Sequence, residues 1–150
     1  MQSVPSVHVV LVIANETLTS QAVHDAITGH NNKTRFFLVA PALNTRLRHW
    51  TSDQDRALMA AEERLERCTA TFASLGIQVD GWIGDADPIQ AISDALALFP
   101  ADQLIIATHP EHRSNWLAHR LVDRARASFG LPITHIVAAE QGDLAFDRAA

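Results

Sequence analysis

Val7-His8-Val9-Val10-Leu11-Val12-Ile13-Ala14 is short, rich in β-branched residues and almost continuously apolar. A strand with one face in water alternates apolar and polar residues. This one does not, so it reads as a strand buried on both faces, the kind found in parallel sheets covered by helices. Residues 35–40 (Arg-Phe-Phe-Leu-Val-Ala), 103–107 (Gln-Leu-Ile-Ile-Ala) and 133–137 (Ile-Thr-His-Ile-Val) have the same character. Residues 77–83 alternate more weakly, through Ile77, Val79 and then Trp82-Ile83, which predicts an edge strand.

Helical segments separate these runs. Residues 20–28 place Ala22, Val23, Ala26 and Ile27 on one face. Residues 52–75 are long and polar, with Leu58, Ala61, Leu65, Phe72 and Leu75 at helical spacing and Gly76 as a stop. Asp87-Pro88 is a capping residue followed by proline at the first helical position, leading into Ile89, Ile92, Leu96 and Phe99. Ser114-Asn115 can open a last helix carrying Leu117, Leu121, Val122 and Ala125, ended near Gly130. Strands alternating with helices predict an α/β fold: a three-layer, doubly wound sheet of five mostly parallel strands.

The chain has 150 residues, the size of one domain, with a core expected over about 7–137 and a polar, alanine-rich tail over 138–150. Its composition, 47% hydrophobic and 19% charged, excludes a disordered chain. A net charge of −5 gives no global support for nonspecific binding to nucleic acid or anionic membranes. The single cysteine, Cys68, excludes an intramolecular disulfide framework and a cysteine-based zinc cluster. No basic segment precedes the first apolar run, which is too short to cross a bilayer, so a cytoplasmic location is expected.

In open α/β sheets ligands bind beyond the carboxyl ends of the strands, where the strand order reverses. The segments there are Asn15-Glu16-Thr17, residues 41–50, Gly84-Asp85-Ala86-Asp87-Pro88 and residues 108–116. The last places His109, His112 and Arg113 just before a helix whose first N–H groups are unpaired, a setting suited to anions. Arg46, Arg48, His49 and Trp50 can add a basic, aromatic-flanked wall. The candidate ligand contacts are Asn15, Glu16, Ala40, Arg46, Arg48, Gly84, Asp85, Thr108, His109, Arg113, Ser114, Asn115 and Trp116. The alternative is that the arginines cover helix ends or pair with Asp53, Asp55, Asp85 and Asp87.

Over residues 7–137 the chain resembles the universal stress protein family. Element order carries most of the resemblance. More specific are residues 84–92 (Gly-Asp-Ala-Asp-Pro-Ile-Gln-Ala-Ile), 101–108 (Ala-Asp-Gln-Leu-Ile-Ile-Ala-Thr) and 131–137 (Leu-Pro-Ile-Thr-His-Ile-Val). The resemblance implies an adenine nucleotide alpha hydrolase-like sheet, a homodimer through the last strand, and ATP or AMP as ligand. The family's acidic residue after the first strand falls near Asn15-Glu16. The ATP-binding members carry a Gly-x-x-Gly, nine residues, then Gly-Ser/Thr after the fourth strand. This chain has no glycine between Gly84 and Gly130, and His119-Arg120 stand where the family has Gly-Ser/Thr. Side chains would then hold the ligand in place of a glycine cradle.

Other chemistries leave weaker traces. No phosphate-loop, dinucleotide-binding or Gly-x-Ser-x-Gly motif is present. His109, His112 and His119 lack an established metal spacing, so no metal is expected. His8 and His135 read as satisfied strand histidines, and His24 and His30 as solvent-facing. Cys68 reads as packing. Asp87 reads as a helix cap and Asp85 as a turn former, with Asp85 and His109 the pair an enzyme would use. The favoured reading is a non-enzymatic, stress-protein-like module binding a small anionic ligand. Its rival is a partner-docking module without a ligand.

Overall fold

The computed structural model describes residues 7–30, 33–43, 52–109 and 115–138, without the side chains of 52–54 and 115–119. Five strands, β1 (His8–Ile13), β2 (Thr34–Leu43), β3 (Gln78–Asp85), β4 (Gln103–Thr108) and β5 (Ile133–Val137), form one sheet in the order β3-β2-β1-β4-β5. Every neighbouring pair is parallel. The connecting helices are α1 (Gln21–Thr28), α2 (Ser52–Ser74), α3 (Pro88–Leu98) and α4 (Asn115–Ser128). A short 3-10 turn, Glu16–Thr19, joins β1 to α1.

The two-sided burial expected of the first run follows from this arrangement. Val10, Val12 and Ala14 pack under Val23 and Ile27 of α1 and Leu65, Cys68 and Phe72 of α2. Leu11 and Ile13 face the opposite layer, against Ala91, Ile92 and Ala95 of α3 and Val122 and Ala125 of α4. The alternating run became the outer strand β3, because only one of its edges pairs.

Local chemistry sets the helix ends. Ser20 caps α1 by accepting from the Val23 amide at 3.2 Å, and Asp87 caps α3 by accepting from Ile89 at 3.1 Å. After α2 the chain reverses at Gly76, whose φ of 81° is a conformation that side chains disfavour.

Three details differ from the sequence reading. β2 runs to Leu43, beyond the expected end at Ala40, because Pro41 and Leu43 still pair with Gly84 and Asp85 across a bulge. Ala138, expected in the tail, is buried and donates to the Thr108 carbonyl at 2.8 Å. His24 and His30 are half-buried rather than solvent-facing. His24 lies 5.5 Å from the Phe72 ring, and His30 meets the Phe36 ring edge-on while bonding the Ala26 carbonyl at 2.8 Å. Both imidazoles lie against aromatic rings of the core, and His30 keeps a ring nitrogen satisfied as it does so. Among the described residues no helix is long and apolar enough to cross a membrane.

Candidate functional site

The strand order reverses between β1 and β4, since the chain moves outward from β1 through β2 to β3 and then returns to the other side. In open α/β sheets that reversal is where ligands bind, beyond the carboxyl ends of the strands. Asn15 and Glu16 follow the end of β1, and Thr108 and His109 stand at the end of β4.

The polar side chains form a row across this edge. Glu16 Oε1 lies 3.5 Å from His109 Nε2, which ties the ends of β1 and β4 together. The pair is open to solvent, with side-chain exposures of 69% and 37%, so a ligand can reach either group. On the other side, Asn15 Nδ2 donates to the Pro41 carbonyl of β2 at 3.2 Å. Its Oδ1 accepts from Arg64 Nη1 at 2.6 Å. Beneath the row the Thr17 hydroxyl is buried and donates to the Ala107 carbonyl at 3.3 Å, pinning the 3-10 turn to β4. The edge therefore carries a solvent-open carboxylate and imidazole beside a guanidinium that an amide holds in place.

The remaining sequence candidates divide. Ala40 is fully buried in the core layer under α1 and α2. Gly84 is also buried, where a Cβ would lie 2.9 Å from both Ala91 Cβ and Val39 Cγ1. Asp85 accepts from the Asp87 amide at 2.8 Å, a turn-forming contact that leads into α3. It also stands at the end of β3, separated from His109 by β2 and β1. With strands about 4.8 Å apart, the two lie roughly 14 Å from each other across the sheet, too far to act as one acid–base pair. Thr108 bonds His135 Nε2 at 2.8 Å and so faces β5. Asn115 begins α4 and Trp116 follows it, but their side chains, like Arg46, Arg48, Arg113 and Ser114, lie outside the described residues. Among the described residues no three His, Cys, Asp or Glu side chains converge as metal ligands would.

Arg64 is the residue that sequence reasoning missed. Local sequence shows it only as part of the charged stretch Glu62-Glu63-Arg64, which reads as a solvated helix face. Its meaning comes from tertiary placement, as α2 crosses the sheet and brings the guanidinium to Asn15.

A separate hollow of about 230 Å³ lies between the 3-10 turn, α1 and α2, lined in part by Leu18, His24, Arg67, Cys68 and Phe72. The Cys68 thiol is buried and donates to the Leu18 carbonyl at 3.1 Å. Burial pushes its pKa up, against the opposing pull of Arg67. Native Cys68 thus keeps its proton where the unfolded thiol has lost it. Its stabilising contribution is full below the unfolded pKa and declines as pH rises above it. Urea unfolding should show stability falling from about pH 8 upward, with a smaller fall in Cys68→Ala. An equal fall in the variant would remove Cys68 as the cause.

No protein-family model and no curated protein matches the sequence. Solved structures do match the fold. A universal stress protein family protein from Burkholderia pseudomallei superposes with a TM-score of 0.60 at 16% identity, over 88% of this chain and 97% of that one. A universal stress protein family protein from Arabidopsis thaliana, solved with AMP bound, superposes with a TM-score of 0.59 at 13% identity, over 91% of this chain and 94% of that one. Both matches span most of each chain, and identities this low speak to architecture alone. The chain has the universal stress protein fold.

Proposed function

We propose that this protein is a universal stress protein-like binding protein that holds a nucleotide such as AMP at the carboxyl edge of its sheet. One observation carries the reading. The strand-order reversal of this fold bears accessible polar side chains, Glu16 and His109, supported by the Asn15 bridge to β2 and α2. AMP bound to a protein of the same fold supports the ligand class. Side chains rather than a glycine cradle make the contacts, since no glycine occurs between Gly84 and Gly130. The carboxylate of Glu16 is suited to ribose, whose hydroxyls donate hydrogen bonds to it.

A homodimer through β5 belongs to the same proposal. β5 is an outer strand, and Val137 on it is 46% exposed. An edge of this kind presents backbone donors and acceptors that a second copy can pair.

Native mass spectrometry with added AMP tests both parts. The expected spectrum is a species of twice the chain mass carrying one AMP per chain, with AMP lost in Glu16→Ala. A monomer would remove the dimer. A protein that ignores AMP would remove the nucleotide and favour the partner-docking alternative.

A further inference from the structure

We propose that Arg64 is the anion-binding residue of this edge, and that the ligand turns a phosphate or carboxylate group toward α2. The inference rests on the ligand-binding reading above and adds to it the residue that selects charge. Arg64 is half-buried, and its guanidinium reaches the edge through the 2.6 Å bond to Asn15. Asn15 is an amide, so it takes one N–H and brings no opposing charge. Among the described residues no carboxylate oxygen lies within 4.0 Å of the guanidinium. The helix does not compensate it either. The positions three and four residues away are Ala60, Ala61, Arg67 and Cys68, none of them acidic.

The acid nearest in sequence to Asn15 is Glu16, and it is engaged with His109 on the β4 side. The edge is therefore split, with a carboxylate–imidazole pair at the end of β4 and a guanidinium at the side of β2. A ligand lying across it would meet acceptor chemistry at one end and a cation at the other. A guanidinium presents N–H groups in a planar fork that matches the paired oxygens of a phosphate or carboxylate. Asn15 fixes the orientation of that fork by anchoring it to the end of β2.

NMR titration of AMP, adenosine and inorganic phosphate into the wild type, Arg64→Gln and Arg64→Lys tests the assignment, with Arg35→Gln as a distant control. The expected result is that Arg64→Gln weakens AMP about 10- to 100-fold while adenosine changes less than about twofold. Arg64→Lys, which keeps the charge and loses the fork, should fall between, and Arg35→Gln should match the wild type. If Arg64→Gln fails to fold, Arg64→Lys is judged by the same comparison. AMP affinity unchanged by either Arg64 variant would overturn this inference and leave the nucleotide reading standing. AMP and adenosine falling together would also overturn it, because Arg64 would then only shape the edge through Asn15. A wild type that binds phosphate through Arg64 but not AMP would keep this inference and remove the nucleotide. Binding of neither would remove both.

Discussion

Phe36→Ala is expected to destabilise the protein by about 3–5 kcal/mol, the cost usual for emptying a large buried aromatic site. Phe36 is 1% exposed and sits in the core layer under α1 and α2, paired in register with Val10 of β1 and Val79 of β3. It also carries the edge-on contact with His30. Domains of this size are stable by about 5–15 kcal/mol, so the variant should lose a large part of its margin. Urea unfolding should show a lower midpoint with an unchanged slope. Phe36→Leu, which keeps most of the volume, should cost about 1.5 kcal/mol or less. A loss below about 1 kcal/mol for Phe36→Ala would mean that the layer under α1 and α2 does not carry the fold in this way.

Gly84→Val should cost about 3 kcal/mol or more, by overpacking rather than by emptying space. The added Cβ would lie 2.9 Å from Ala91 Cβ and 2.9 Å from Val39 Cγ1. Neither neighbour can yield easily, since Val39 is fully buried in the middle of β2 and Ala91 is buried on α3. Gly84→Ala is the milder form, expected at about 1–3 kcal/mol. Adding Ala91→Gly should recover part of that loss, read as a coupling energy in a double-mutant cycle. Independent losses from the two changes would show that close approach of α3 to β3 does not explain the glycine. The double variant should also bind AMP as the wild type does, if Gly84 serves packing and not the ligand.

The architecture was legible where burial is written into consecutive residues. The β1 run cannot sit in a half-wet sheet, and Asp87-Pro88 marks a helix start whatever surrounds it. Gly76 likewise marks the end of α2 through its own backbone conformation. The strand ends followed from alternating elements, so Asn15, Glu16 and His109 could be placed in advance at the carboxyl edge of the sheet. Their contacts could not. Glu16 and His109 are 93 positions apart in sequence, and nothing local tells that their side chains approach within 3.5 Å. Arg64 was harder still, because a charged residue on a long polar helix looks the same whether it faces water or the sheet edge. Gly84 was legible as a special position but not as to why. The same absence of a side chain serves a ligand or a helix, and only the distances to Ala91 and Val39 distinguish them. The arginines of residues 44–51 and 110–114 fall outside the described residues.

In the proposed function, ligand binds at the carboxyl edge where β1 and β4 part. Amide chemical-shift mapping during an AMP titration tests it most directly. The largest shifts are expected at Asn15, Glu16 and His109, with weaker ones spreading into the end of β2. Shifts confined to the opposite end of the sheet, around His8 and His30, or no shifts at all, would contradict it.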